Sequence, residues 1–304
     1  MPVRLQPMLT VAAFYKFENF PDFADYRARL LAACEEGRVK GTILLASEGV
    51  NGTICGPAEG IDKVLDALRQ LPGFSDLEHR RSHASKMAFK RLKVRLKKEI
   101  VTIGLPNLDA ARDAGIYVGP EEWNDLIADD EVAVIDTRND QEVAIGSFEK
   151  AIDPKTASFR EFPDWLKSFK QEQGAKKLAM FCTGGIRCEK ATAFARSISF
   201  DEVYHLEGGI LNYLEKIPVE QSKWQGDCYV FDHRVSVRHG LEEGGFDQCH
   251  ACGRPVAPAD KENEHYIEGV SCNACWDVYS DDQKARFAER QRQCVQAQNK
   301  KGRA

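Results

Sequence analysis

Apolar positions change their spacing along this chain, and each change marks an element. Val11-Ala12-Ala13-Phe14-Tyr15-Lys16-Phe17 is a dense apolar run, read as a strand. Phe23, Tyr26, Leu30 and Leu31 then recur at helical spacing as far as Cys34, with Pro21 at a place that suits a helix start. Val39 to Ala46, rich in Thr, Ile and Leu, predicts a second strand, and the Gly49-Val50-Asn51-Gly52 turn leads into a third at Thr53-Ile54-Cys55. Ile61, Val64, Leu65, Leu68 and Leu71 mark one face of a second helix, which Pro72-Gly73 ends. From Arg91 to Val101, Leu92, Val94 and Leu96 alternate with Arg91, Lys93, Arg95 and Lys97, the two-residue period of a half-exposed strand.

Residues 102–120 have the composition of a connector, with Gly104, Pro106, Gly115, Gly119 and Pro120. Beyond them, short apolar runs alternate with helical patterns. Glu121 to Ala128 predicts a helix, and Val132-Ala133-Val134-Ile135 a buried strand ending at Asp136-Thr137-Arg138. Pro163 to Phe169 predicts another helix, Leu178 to Phe181 and Val203 to Leu206 two more strands, and Gly208-Gly209 opens a helix through Tyr213 and Leu214. From Trp224 the character changes. Tyr229-Val230-Phe231 and Arg234-Val235-Ser236-Val237 suit a small hairpin. Two cysteine pairs follow, then a polar helical tail from Asp281 with Arg286, Arg290, Arg292, Lys300, Lys301 and Arg303.

The first order of elements, β-α-β-β-α-β, is the ferredoxin-like arrangement. The second implies a parallel sheet with helices on both faces. The expected fold class is therefore α/β: a ferredoxin-like α+β domain over 1–101, a connector over 102–125, a parallel-sheet domain over 126–223 and a C-terminal region over 224–304. Sites in parallel sheets lie beyond the carboxyl ends of the strands, and Cys182 falls there.

Composition narrows the class. The chain has 304 residues, 43% hydrophobic and 29% charged, with a net charge of −5, which suits a soluble protein of two or three domains. No apolar run approaches the roughly 18 residues that span a bilayer, and Met1 to Thr10 lacks the layout of a secretory signal. The expectation is a cytoplasmic protein with no membrane partner. Four of its ten cysteines form two close pairs, which favours metal binding in a reducing compartment over disulfides. Charge is uneven: His79 to Lys98 carries nine Lys/Arg and no Asp or Glu, so the rest sums to −14. Phe89 stands among Arg80, Arg81, Lys86, Lys90, Arg91, Lys93, Arg95, Lys97 and Lys98, a mixture that suits RNA; a solvated strand face is the plainer reading of the run by itself.

The chemistry concentrates in Cys182-Thr183-Gly184-Gly185-Ile186-Arg187-Cys188, between a strand and a helix. Loop amides and the positive end of the helix dipole converge on a cysteine so placed, and both favour its thiolate. The Cys-x4-Arg spacing is one residue shorter than the phosphate loop of cysteine phosphatases, a cradle sized for sulfur rather than a phosphoryl group. A cysteine buried in a tight turn is the plainer reading, but Gly-Gly before Arg argues against it. Cys188 is either a resolving thiol for Cys182 or a small hydrophobe in the first helical turn. Cys249-x2-Cys252 and Cys272-x2-Cys275, 19 residues apart, carry the spacing of a structural zinc site with four thiolates; two separate redox pairs are the alternative. His250 and His265 are not needed for it, and Cys34, Cys55, Cys228 and Cys294 are expected to pack.

The loop resembles the rhodanese active-site loop, Asp136 to Glu142 with Ile145-Gly146-Ser147-Phe148 resembles the early rhodanese motif, and Leu206-Glu207-Gly208-Gly209-Ile210 its closing segment. The resemblance implies a persulfide-bearing Cys182 with its anion held by loop amides and Arg187, a structural Asp136, and Arg138 paired with Glu142. Ser147 stands where a common rhodanese pattern has histidine, so that histidine has no role here. Over nearly its whole length the chain is similar to the bacterial rhodanese-related tRNA uridine(34) hydroxylases. The runs that carry this are Gly41 to Thr53, Arg91 to Val101, Phe159-Arg160-Glu161-Phe162-Pro163, Cys182 to Lys190 and Gly269-Val270-Ser271-Cys272. The resemblance implies oxygen-dependent hydroxylation of the wobble uridine, with molecular oxygen as co-substrate, the tRNA anticodon loop as partner and an electron donor that the sequence does not name. No flavin or NAD fingerprint is present. The alternatives are a thiosulfate-type sulfurtransferase working through a Cys182 persulfide and a non-catalytic RNA-binding module.

Overall fold

The structure, a computed structural model, describes residues 8–106, 108–173 and 177–301. It divides into two compact units: one runs to Asp232 and includes Val237–Glu243, the other comprises His233–Ser236 and the chain from Gly244.

The first unit begins with β1 (Leu9–Phe17), α1 (Arg27–Glu36), β2 (Lys40–Ala46), β3 (Gly49–Gly56), α2 (Ala58–Arg69), β4 (His79–Ala84) and β5 (Leu92–Leu96). They form one sheet in the order β4-β1-β3-β2-β5, antiparallel except for β2 beside β5. Alternation sets its faces. Ala12, Phe14, Ile43, Leu45, Ile54 and Val94 point to the helices and share a core with Leu30, Ile61, Val64, Leu65 and Leu68. The intervening Ala13, Tyr15, Thr42, Leu44, Asn51 and Thr53 stay half-buried on the other face.

Two expectations change. The strand read over Arg91–Val101 is shorter, Leu92–Leu96, and is an added edge strand. The strand closing the ferredoxin-like pattern is β4, His-Arg-Arg-Ser-His-Ala, which pairs with β1. Its polarity hid it, because an edge strand can leave charged side chains in solvent. The helix expected from Pro21 starts at Arg27; the bonds Phe23 N–H to Phe20, Asp25 N–H to Asp22 and Arg27 N–H to Ala24 instead make successive three-residue turns.

The unit continues through α3 (Ala110–Asp113), β6 (Ile116–Val118), α4 (Pro120–Ala128), β7 (Val132–Asp136), α5 (Asp140–Val143), β8 (Gly146–Phe148), α6 (Phe162–Gln173), β9 (Lys177–Phe181), α7 (Ile186–Ser197), β10 (Glu202–Leu206) and α8 (Gly209–Lys216). Strands β6-β10-β9-β7 make a parallel sheet, which the segment around Ile116 joins despite its connector composition. Val134, Ala179 and Phe181 face Trp123, Ile127, Tyr213 and Leu214 of α4 and α8. Ile135, Leu178 and Met180 face Phe162, Leu166, Ala191 and Phe194 of α6 and α7. Covering both sides in this way suits the near-continuous apolar runs of the strands, and each large side chain buried contributes about 1.5–3 kcal/mol. Strand β11 (Trp224–Gly226) pairs with β8, and Trp224 packs on Phe148 and Phe181.

Lys190 of α7 is buried and reaches across to the first sheet. Its Nζ donates to Glu48 Oε1 at 2.8 Å, Glu99 Oε2 at 2.7 Å and the Val101 carbonyl at 2.9 Å. A buried ammonium needs such a full set of acceptors. This contact fixes the helix after the cysteine loop against the segment that follows β5.

Short strands occur at β12 (Cys228–Tyr229) and β13 (Ser236–Val237). In the second unit β14 (Asp247–Gln248) pairs antiparallel with β15 (Pro255–Val256), and α9 spans Asp281–Lys301. Arg303 of the basic tail lies outside the described residues. No helix among the described residues is long and apolar enough to cross a membrane.

Candidate active site and metal centre

Strand β9 ends at Phe181, and the chain turns through Cys182–Gly185 into α7. The turn is tied down from below. Ile210 N–H donates to the Cys182 carbonyl at 2.9 Å and Leu211 N–H to that of Thr183 at 3.0 Å, so the start of α8 holds the loop. Gly209 can only be glycine: its φ is +65°, and a Cβ would lie 2.4 Å from the Cys182 carbonyl oxygen. Gly185 has φ +99°, which turns its N–H onto the Cys182 sulfur at 3.1 Å.

Burial pushes the Cys182 thiol up. The Cys188 side chain, the Arg187 charge and the N–H groups of Cys188 and Arg187 act in the opposite direction and prevail, so its pKa falls below that of an ordinary thiol. Cys188 goes the other way, raised by burial and by Cys182, and is fully buried against Thr137, whose Oγ1 is 3.6 Å from its sulfur. One of the two thiols thus ionises in preference to the other.

Cys182 is only 1% exposed, so the expectation of a sulfur directly reachable from solvent is not met in this conformation. Gly184 of the loop borders open space: a Cβ there would meet nothing within 4 Å. Phe231, 61% exposed, stands 5.9 Å from the Arg187 guanidinium and presents an open aromatic face beside the loop.

Arg187 makes two hydrogen bonds to the buried Glu142 carboxylate, Nη1 to Oε2 at 2.8 Å and Nη2 to Oε1 at 2.5 Å. Burial raises the Glu142 pKa, but Arg187 and Arg138 outweigh it and hold Glu142 below the usual carboxylate range. The expected Arg138–Glu142 side-chain pair is therefore not formed. Arg138 instead grips Asp136, Nε to Oδ1 at 2.9 Å and Nη2 to Oδ2 at 2.6 Å, and reaches Glu142 only at its carbonyl, at 3.3 Å. Two acids and two arginines allow either partition, and the short Asp136-x-Arg138 span favours the local one. Ser147 Oγ donates to Asp136 Oδ2 at 2.8 Å.

Three side chains at the loop carry no signal of their role in the sequence. Glu189, 7% exposed, accepts a hydrogen bond from Tyr15 Oη at 2.8 Å, and Tyr117 lies close enough to act on the same carboxyl. Tyr15 comes from β1, 174 positions away. Its hydroxyl lies against the loop, where a Cβ on Gly185 would come within 2.7 Å of it. Burial pushes Glu189 up to about 7. Tyr15 is held well above its ordinary value by burial and by Glu189.

The basic residues separate. Arg80 is at the site: its guanidinium lies where a Cβ on Gly208 would be 2.4 Å away, and it pairs with Glu215 at 2.9 Å. Arg81 turns to the helical side and pairs with Asp62 and His79. Lys86, Lys90, Arg91, Lys93, Arg95, Lys97 and Lys98 are exposed, and none has an ion-pair partner among the described residues.

In the second unit Cys249, Cys252, Cys272 and Cys275 bring four sulfurs within 4.8 Å of one another. Cys249–Cys275 is 3.9 Å, Cys252–Cys272 3.7 Å and Cys272–Cys275 3.7 Å. A tetrahedron of thiolates at about 2.3 Å from zinc has edges of about 3.8 Å, so this donor set fits that ion. His265 stays outside and stacks on Trp276 at 3.9 Å. Cys34, Cys55 and Cys228 are buried as expected, but Cys294 is exposed on α9.

Residues 9–100 match the model of the UPF0176 acylphosphatase like domain, and residues 119–216 that of the rhodanese-like domain. A protein of Agrobacterium fabrum named tRNA uridine(34) hydroxylase is 55% identical over 283 residues, 93% of this chain and 90% of its own. Proteins of the same name from Gluconobacter oxydans and Brucella ovis are 54% and 52% identical, covering 95% and 96% of this chain and 94% and 95% of theirs. With that identity across nearly its full length, the chain belongs to the tRNA uridine(34) hydroxylase family.

Proposed function

We propose that this protein is a cytoplasmic tRNA-modifying enzyme that hydroxylates the wobble uridine at C5, with Cys182 as nucleophile. The observation that carries the reading is the Cys182 sulfur, held ionised by the Gly185 N–H and the charge of Arg187. The thiolate adds to C6 of the uracil, and the C5=C6 electron pair moves toward C5 and O4. The electron-rich C5 takes one atom of molecular oxygen; the other leaves as water, with two electrons and two protons supplied by a donor, and loss of the C5 proton then expels the Cys182 thiolate and restores the C5=C6 bond. Glu142 fixes Arg187 beside the sulfur, so the cation is in place before the substrate arrives. Cys188, kept as a buried neutral thiol, is poorly suited to attack an oxidised Cys182 and serves better as a small hydrophobe in the first turn of α7.

The substrate must bring its base out of the anticodon stack, which costs little in a single-stranded loop. Phe231 offers a stacking face near the entry, and the exposed cations from Lys86 to Lys97, with Arg80 closest to the loop, offer phosphate contacts. Residues 1–101 would thereby act as the RNA-binding domain, 102–125 as the link and 126–223 as the catalytic domain. In the remaining region, 224–304, the four thiolates Cys249, Cys252, Cys272 and Cys275 would hold a structural zinc, which leaves no open coordination position.

The test is the nucleoside profile of tRNA from a deletion strain carrying wild-type protein or Cys182→Ser. Wild type restores 5-hydroxyuridine and Cys182→Ser does not. Full restoration by Cys182→Ser rejects the reading. A thiosulfate-to-cyanide assay on the same proteins separates it from sulfur transfer to a small acceptor.

A further inference from the structure

Thiolate addition to a uracil leaves a negative charge on O4, which needs a proton of its own. C6, which takes the sulfur, and C4, which carries the oxygen, flank C5, so a group from a second element can meet O4 while the Cys182–Arg187 loop holds the sulfur. The ferredoxin-like sheet supplies one. Tyr15 Oη rests against Gly185, the residue whose N–H holds the sulfur, and donates to Glu189 Oε1 at 2.8 Å. Tyr117 of β6 acts on the same carboxyl.

We infer that Tyr15 and Glu189 form a proton relay that serves uracil O4 during attack by Cys182. The inference rests on the thiolate-addition reading and extends it to residues that carry no motif. In the forward step the Cys182 S–C6 bond forms and the C5=C6 pair shifts to C4–C5. With its O–H turned from Glu189 to O4, Tyr15 gives its proton to the C4=O4 pair and takes the Glu189 carboxyl proton in return, and Glu189 is left as carboxylate. Atoms and charge balance with no oxidant: the thiolate's negative charge ends on Glu189. Reversal returns each proton along the same path.

The surroundings suit this role. The groups that act on Glu189 are Tyr15 from β1, Tyr117 from β6 and Cys182 from the loop, with Arg80 of β4 and Arg187 of α7 the cations nearest the same loop. Burial and the nearby thiolate therefore keep a proton on it to about pH 7. Tyr15 stays protonated throughout. An acid that holds its proton near neutral pH beside a thiolate that has lost its own is the pairing that addition to a double bond requires.

The enol so formed takes a solvent proton at C5, so reversible addition exchanges hydrogen at C5 without oxygen. Full-length protein is incubated anaerobically with tRNA transcript carrying [5-3H]uridine at the wobble position, and tritium release is followed from pH 5.5 to 9. Wild type is expected to release tritium, and Cys182→Ala not to. Tyr15→Phe and Glu189→Gln are expected to lose on the order of 10²-fold in rate while binding tRNA within about twofold of wild type. The falling limb of the wild-type pH profile, near 7, is expected to vanish in Glu189→Gln; a merely structural role would not move it. If wild type exchanges and both variants exchange at wild-type rates with the same profile, the relay is wrong and thiolate addition stands. If wild type releases nothing, thiolate addition is wrong and the relay falls with it.

Discussion

Arg187 and Glu142 illustrate how much of this site depends on single contacts. Both are buried, and each satisfies the other. Glu142→Gln leaves the guanidinium buried without its counter-charge and is expected to cost about 3–5 kcal/mol of stability, read by denaturant unfolding. It should also lower the Cys182 pKa further, because the carboxylate that partly cancels the Arg187 charge is gone. The direction for the native thiol is set by the same balance. Its thiolate absorbance near 240 nm, taken as wild type minus Cys182→Ala, should titrate with a midpoint below the roughly 8.5 of a free thiol; a midpoint at or above that value contradicts a poised sulfur. Phe231→Ala removes an exposed ring and should weaken tRNA binding by about 1–3 kcal/mol if a base stacks there, with little change in melting temperature. At this scale the loop was legible because Cys182, its glycines and Arg187 are consecutive. The Glu142 partner was assigned to the wrong arginine, since both arginines are near in sequence and only the fold decides. Tyr15 was not legible at all: a tyrosine in an apolar strand looks like any other core position until β1 is laid beside the start of α7.

Among the elements, α7 is where the two sheets of the first unit are fastened together. Lys190 takes Glu48 from the turn between β2 and β3 and Glu99 from the segment after β5. Glu99 is pushed up by burial but pulled down further by Lys190 and by the N–H groups of Ile103 and Gly104. A carboxylate depressed in the folded state adds stability above its unfolded pKa of about 4.3, and that stability is lost as pH falls through the folded value. Glu142 follows the same sign. The melting temperature should therefore drop between about pH 5 and pH 3, and Lys190→Met should drop less over that window; an equal drop would remove Lys190 from the account. The elements themselves were readable wherever one face is buried. Strand β4 escaped because His-Arg-Arg-Ser-His-Ala has no apolar stripe; only Ala84 at its end packs with Val11 and Leu9 of β1. The start of α1 was placed too early because Phe23 and Tyr26 hold helical spacing through turns that are not yet helix.

At the scale of the molecule, charge and metal make separate demands. The net charge of −5 hides a run of cations whose exposed members face solvent without partners among the described residues. If they meet phosphates, tRNA affinity should fall with salt, and Lys93→Ala with Arg95→Ala should lower the slope of log affinity against log salt by about 0.7–0.9 for each phosphate no longer neutralised. An unchanged slope would move the RNA path elsewhere. The second unit has a small core around its four cysteines, so an ion held there would be tied to its folding. One zinc per chain is expected by elemental analysis, and Cys272→Ser should lose it. The cysteine spacing made this site readable, since four ligands in two knuckles need little from the rest of the fold.

The most direct trial of the central claim is covalent trapping. A tRNA anticodon stem-loop with 5-fluorouridine at the wobble position, mixed with the protein and digested, should yield one nucleotide-linked peptide, with the mass on Cys182, and none from Cys182→Ser. An adduct on another residue, or one that persists in Cys182→Ser, would contradict attack by this sulfur.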